Sequence, residues 1–274
     1  MNTFSEENKL RIRSLAQELR LKHDAMDWGI SPVDLIEKEG LDYGEYDLSD
    51  KGIIEKITRS IKKIAKRIKA ALSVPQKVVL IDTDLHNAKK PFGQAHELGH
   101  HTIPEHRQIL YVCSESDLIY ETRLEMEFEA NVFASETLFP TPLMNSIYEN
   151  FPLAMETILN LAQLAKASFH SAALRYVTDC DKKCCVLFLK VEEDDEGNRG
   201  LKLQSQKWSP AWGKKYKRKI IKDYQFFHAK HNFSLVAFSG SLHTVVKNTI
   251  NVGEDIMFQA HTFFNGYTVF SLLF

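Results

Sequence analysis

No stretch of this 274-residue chain approaches the roughly 20 apolar residues needed to span a bilayer, and residues 1–20 are polar and charged, without the apolar core of an export signal. The expectation is a cytoplasmic protein with no membrane partner. Cysteine is scarce: the four residues, Cys113, Cys180, Cys184 and Cys185, include an adjacent pair, so a secreted disulfide framework is excluded and reduced thiols are expected. Cys180 and Cys184-Cys185 have no matching Cys or His pair at zinc-finger spacing, and they stay unassigned. Charge of one sign is lacking too. With 35 Lys and Arg against 36 Asp and Glu, the chain is not one whose main business is coating nucleic acid or anionic membrane.

What is present is an ordinary globular balance, 44% hydrophobic and 26% charged, in a chain long enough for one large domain or two modest ones. Residues 5–24 read as a helix, with Leu10, Ile12, Leu15, Ala16, Leu19 and Leu21 forming an apolar stripe. A short helix follows from Ser31-Pro32-Val33, where serine caps and proline fits the first turn, and it runs to about Gly40. Over residues 51–72, Ile53, Ile54, Ile57, Ile61, Ile64, Ala65 and Ile68 recur among lysines and arginines, the pattern of a basic amphipathic helix or helix pair. Its charged side reads first as a solvated face, and second as a surface for DNA, membrane or an acidic partner.

Val78-Val79-Leu80-Ile81 predicts a strand, residues 87–91 a loop, and a helix starts near Phe92. Residues 121–138 predict another helix, ended by Pro140 and Pro142. Residues 153–177 read as two helices around a turn at Ala167-Ser168-Phe169-His170, with Ser171 starting the second. Beyond residue 180 the texture changes to a strand at 185–189, a charged hairpin or loop at 192–200 and short apolar runs over 233–274, which together predict a smaller α+β domain.

Chemistry concentrates in His96-Glu97-Leu98-Gly99-His100. On a helix, residues four apart share a face, so His96 and His100 can direct two imidazole nitrogens at one ion, with Glu97 beside it as a general base. Catalytic zinc takes three protein ligands and keeps one position open, so a third donor must come from elsewhere. Glu129, flanked by small residues in Glu129-Ala130-Asn131-Val132-Phe133-Ala134, is preferred over His106, which lies ten residues after His96 but is preceded by Ile103-Pro104 where a glycine at 103 would be wanted. Glu125 and Glu127 read as solvent-facing helix charges. Tyr111, Tyr120 and His170 all remain open as the group that steadies a developing oxyanion.

Two runs carry a resemblance. Pro91-Phe92-Gly93-Gln94-Ala95-His96-Glu97-Leu98-Gly99-His100-His101, together with Glu127-Phe128-Glu129-Ala130-Asn131-Val132-Phe133-Ala134-Ser135-Glu136-Thr137-Leu138-Phe139-Pro140, resembles the two signature segments of the ImmA/IrrE family of metallo-endopeptidases, the M78 peptidases. Gln94 and the Ile103-Pro104 segment depart from the commonest family wording, and neither removes a ligand. The resemblance implies an α+β, zincin-like core over residues 1–146, a helix-turn-helix-like segment over 147–179 and an α+β C-terminal domain over 180–274, in the place of a sensory or regulatory domain. It implies His96, His100 and Glu129 as ligands of zinc, with manganese as the other candidate ion, and Glu97 as the base. It also implies a protein substrate, a helix-turn-helix repressor whose cleavage relieves repression in mobile-element induction or a stress response.

Two other readings stand beside the protease. One is a DNA-binding regulator with a residual metal site, using residues 51–72 and a segment 153–177 in which Arg175 faces a phosphate; the apolar Ala172-Ala173-Leu174 favours packing over base reading there. The other is an interaction module in which metal only stabilises the fold. In the protease reading, an extended partner segment pairs with the strand at residues 78–81.

Overall fold

Serine caps set the first two helices. The Ser5 hydroxyl accepts from Asn8 N at the start of α1 (Glu6–Lys22), whose acidic first turn and basic last turn suit the helix dipole. Ser31 does the same for Asp34 N in α2 (Pro32–Lys38), with proline in the first turn. The computed structural model of the chain describes residues 5–47, 70–73, 77–107, 120–216, 225–229, 231, 234, 237–238, 242–251 and 257–274. It divides into two compact units, Met1–Met144 with Ala162–Ser171, and Asn145–Leu161 with Ala172–Phe274. The helical stretch expected over 147–179 is shared between them. The architecture mixes helices and sheets, as the α+β expectation has it.

In the first unit a three-stranded sheet of order β1-β3-β2 is built from β1 (Asp42–Tyr46), β2 (Ala70–Ser73) and β3 (Val78–Asp82). β3 runs parallel to β1 and antiparallel to β2, so Leu80 faces Gly44 on one side and Ala71 on the other. Two sequence expectations change here. The helix expected over residues 51–72 lies outside the described residues as far as 69, and its final residues form β2 instead, because pairing with β3 supplies hydrogen bonds that local periodicity cannot report. A partner segment also cannot pair with residues 78–81, since β3 is hydrogen-bonded along both edges. β1 was not foreseen. Asp42-Tyr43-Gly44-Glu45-Tyr46 is a mostly exposed outer strand without apolar alternation.

The helix α3 (Lys90–Thr102), entered through a 3-10 turn at Asn87–Lys89, packs on β2 and β3 and along α4 (Tyr120–Leu138). Between these elements lies a core of Ile12, Ala16 and Leu19 from α1, Leu35 and Ile36 from α2, Val79 and Ile81 from β3, Leu98 from α3 and Phe133 from α4. Each large aliphatic side chain buried this way stabilises by about 1.5–3 kcal/mol against leaving it in water. α4 stops before Pro140, and the buried Glu136 accepts from Thr141 N (2.6 Å) and Thr141 Oγ1 (2.8 Å), tying its end to the start of α5 (Thr141–Asn150).

Helices α6 (Met155–Leu164) and α7 (Phe169–Asp179) follow. The second begins two residues before Ser171, whose N donates to Ser168 Oγ at 3.1 Å as a cap. Arg175 is 4% exposed and bound to Asp179 at 3.0 Å, so it does not face a phosphate. Ala172, Ala173, Tyr176 and Val177 are buried with it.

The second unit is built on an antiparallel six-stranded sheet of order β6-β5-β4-β9-β8-β7, from β4 (Cys185–Glu193), β5 (Arg199–Trp208), β6 (Phe226–His228), β7 (Val245–Asn251), β8 (Met257–Phe264) and β9 (Val269–Leu273). The β4–β5 connection turns on Asp194 Oδ1, which accepts from Glu196 N and Asn198 N, and on Gly197 at φ +81°. One sheet face, with Leu187, Leu189, Leu203 and Leu273, is covered by α8 (Pro210–Tyr216), where Trp212 stacks on Phe258 at 4.8 Å.

Candidate metal centre

The helix α3 begins with Pro91 in its first turn and ends with Thr102 Oγ1 on Leu98 O and Ile103 N on Gly99 O. Between those ends, Leu98 fills the core and Gly99 admits α4. A Cβ on Gly99 would stand 3.1–3.2 Å from the Phe133 side chain, so the glycine lets the two helices approach closely enough for their polar faces to meet.

At that meeting, His96 Nε2 and His100 Nε2 lie 3.1 Å apart. Glu127, one side of α4, sets its carboxylate against both rings, with Oε2 3.4 Å from His96 Nε2 and Oε1 3.7 Å from His100 Nε2. Asn131, one turn further along α4, places Oδ1 3.1 Å from His96 Nδ1. A carbonyl oxygen only accepts, so Nδ1 carries the proton of the neutral ring and the Nε2 lone pair faces His100 and Glu127.

Glu129 is drawn elsewhere. Its Oε2 lies 2.6 Å from His106 Nε2, and its Oε1 accepts from Asn8 Nδ2 of α1 at 2.6 Å. His106, 1% exposed, turns Nδ1 to His100 Nδ1 at 3.1 Å, on the far side of that ring from Glu127. The structure thus brings together His96, His100 and Glu127; Glu129 reaches His100 only through His106. Glu125 is exposed, as expected of a solvent-facing charge; Glu127 is half-exposed and also turns its carboxylate to His96 and His100. Glu127 and Asn131 repeat on α4 the four-residue spacing of His96 and His100, but that spacing alone does not choose Glu127 over Glu129.

Charge follows this layout. Burial, reinforced by the neighbouring His96 and His106, pushes His100 down to about 3, so its ring is neutral at physiological pH. Burial also acts to lower His96, but hydrogen bonding to Glu127 and the charges of Glu97 and Glu127 outweigh it and leave the ring more basic than usual. Hydrogen bonding to His96 holds Glu127 below the usual carboxylate range against the effect of burial. Glu129 is likewise lowered, burial being overcome by its bonds to His106 and Asn8. Glu97 is 7% exposed beside His96. Tyr111 and the side chain of Tyr120 lie outside the described residues, and His170 is made less basic by burial and the charge of Lys89, so no oxyanion partner is singled out.

The donor set fits a divalent transition ion. Two neutral imidazoles and a carboxylate form a common zinc set, and a tetrahedral ion with bonds of about 2.0–2.2 Å wants donors roughly 3.4 Å apart. The ligand atoms of His96, His100 and Glu127 all lie within 4.8 Å of one another.

Residues 54–176 match the family model of Peptidase M78, the IrrE N-terminal-like domain. Over these residues the chain is similar to an M78 peptidase domain. That match spans the whole of α3 and α4, and so His96, Glu97, His100, Glu127 and Glu129 together. The M78 domain points to a peptidase or a regulator, and its His-His-Glu group to a metal. Among solved structures, the fold is similar to that of a Mycobacterium tuberculosis transcriptional regulator, at 13% identity and TM-score 0.52 over 99% of this chain and 88% of that one. No curated protein matches the chain. Among the described residues, no helix is long and apolar enough to cross a membrane.

Proposed function

We propose that this protein is a zinc-dependent endopeptidase of the cytoplasm, with His96, His100 and Glu127 holding the ion and Glu97 as general base. The observation that carries the reading is the convergence of the two Nε2 lone pairs and the Glu127 carboxylate beside a buried second carboxylate on α3. Manganese suits the same donors less well, because imidazole favours zinc.

A zinc ion in such a site supplies the Lewis acidity that polarises a carbonyl and makes water nucleophilic near neutral pH. The protein's own part is positional and proton-handling. Asn131 fixes His96 in the Nδ1–H form. Glu97 takes a proton from the attacking water and returns it to the leaving amine, a role worth roughly 10²–10⁴ in rate. Among the described strands of the β1-β3-β2 sheet, β1 and β2 are the outer ones to which an extended substrate segment can add, where main-chain pairing makes little demand on sequence. Selectivity then rests on docking the folded part of the partner, and a helix-turn-helix repressor is the proposed substrate.

The similarity to a transcriptional regulator supports a second reading, in which the domain binds DNA or a protein partner and its metal is structural or vestigial. One experiment separates them. The purified zinc-loaded protein is incubated with the repressor encoded beside its gene, with a chelator and Glu97→Gln as controls. A discrete fragment pair that needs both metal and Glu97 supports the peptidase; an intact repressor held in a complex supports the regulator.

A further inference from the structure

The metal centre proposed above leaves one buried histidine and one carboxylate of the same cluster without a task. His106 is 1% exposed, yet it sits with one ring nitrogen on His100 and the other on a carboxylate. A fully buried histidine bonded through both nitrogens is locked in orientation. We infer that Glu129 and His106 form a positioning relay that fixes the tautomer and ring angle of His100, so that its Nε2 lone pair is presented to the ion. This rests on the metal-centre reading and deepens it.

The proton assignments follow from which atoms can only accept. A carboxylate oxygen accepts, so His106 Nε2, 2.6 Å from Glu129 Oε2, carries a proton. In the neutral ring that leaves His106 Nδ1 as an acceptor, and the contact of 3.1 Å with His100 Nδ1 is closed by a proton on His100. His100 is then the Nδ1–H tautomer, with its free lone pair on Nε2, the atom that faces His96 and Glu127. His96 reaches the same state by a shorter route, from Asn131 directly. The two imidazoles are thereby matched, each donating from Nδ1 and each offering Nε2.

The relay is anchored from outside the two motif helices. Glu129 Oε1 accepts from Asn8 Nδ2 at 2.6 Å, and Arg11 places Nη2 3.8 Å from the same oxygen. Both residues belong to α1, which precedes the residues matched by the family model. The anchor is rigid, because Ile12 and Ala16 of the same helix are completely buried in the core. A carboxylate carrying only the general charge of the region would not need its two oxygens divided between a histidine and an asparagine. Partners that orient a ligating histidine typically change metal affinity by 10–100-fold when removed.

Zinc affinity is measured by competition with a chromophoric chelator for the wild type, His106→Leu, His106→Gln and Glu129→Gln, alongside thermal melts of each metal-free chain. The relay predicts that His106→Leu, which leaves the His100 Nδ1–H unpaired, binds zinc 10–100-fold more weakly, and that His106→Gln, whose amide oxygen can accept that proton, recovers most of the loss at similar melting temperature. Glu129→Gln falls between them. Long-range ¹⁵N–¹H NMR of histidine-labelled, metal-free wild type reads the His100 tautomer directly, so the proposal stays testable if His106→Leu does not fold. Wild-type affinity in a folded His106→Leu, or a His100 ring protonated on Nε2, overturns the relay while leaving the metal centre intact. A wild type that binds no zinc overturns the metal centre itself, and the relay with it.

Discussion

Glu127 and Asn131, one helical turn apart on α4, address opposite nitrogens of the same ring: Glu127 Oε2 lies 3.4 Å from His96 Nε2 and Asn131 Oδ1 3.1 Å from His96 Nδ1. The carboxylate therefore lies on the face proposed to hold the ion, while the amide oxygen can accept from Nδ1–H. Asn131→Ala removes the acceptor and frees the ring to adopt the other tautomer, so zinc affinity is expected to fall 10–100-fold with little loss of helix. Calorimetric titration with zinc checks this, and unchanged affinity would show that Asn131 has no part in orienting His96.

Glu97→Gln keeps the shape of the side chain and removes its ability to take a proton. Metal stoichiometry should stay at the wild-type value while cleavage falls by roughly 10²–10⁴. Turnover retained in this variant would sink the assignment of Glu97 as base.

Gly99→Ala sets two effects against each other. Alanine is better than glycine in a helix by about 1 kcal/mol, but its Cβ meets Phe133 at 3.1–3.2 Å, and Phe133 is fully buried in the core and would have to shift to admit it. Overpacking costs about 1–3 kcal/mol, so the variant should melt lower than the wild type. A higher melting temperature would mean that α4 gives way and that the close approach is not required.

Glu39 ties the end of α1 to the end of α2, through Lys22 Nζ at 2.7 Å and His23 Nε2 at 2.5 Å. Burial raises its pKa, but hydrogen bonds and charge from Lys22 and His23 bring it below the ordinary value. A carboxylate lowered on folding stabilises above its unfolded pKa of about 4.3, and that contribution is lost as pH falls through the lower folded value. Glu39→Gln should therefore cost up to about 1 kcal/mol at pH 7, with the difference from wild type closing well below pH 4. Thermal melts at the two ends of that range decide it; a gap that widens in acid contradicts the assignment.

The parts legible in the sequence were local. His96 and His100 share a face because one helix repeats every 3.6 residues, and the ends of α1, α2 and α4 are marked by Ser5, Ser31 and Pro140. The proposed third donor was not local. Glu127 and Glu129 differ by about 200° around α4, so which one meets α3 depends on how Phe133 seats against Gly99, a contact between residues 34 apart in sequence that no periodicity encodes. Strands β1 and β2 escaped for the same reason. Neither has the apolar alternation of a half-buried strand, and each exists because β3 offers it a hydrogen-bonding edge.

The most direct test of the metal centre is zinc content after dialysis, measured by mass spectrometry on the wild type, Glu127→Ala and Glu129→Ala. With Glu127 as the third donor and Glu129 acting only through His106, the wild type should retain one zinc per chain, Glu129→Ala should retain it at reduced affinity, and Glu127→Ala should retain none. Full zinc in Glu127→Ala together with its loss from Glu129→Ala would contradict the account, and would return the third ligand position to Glu129.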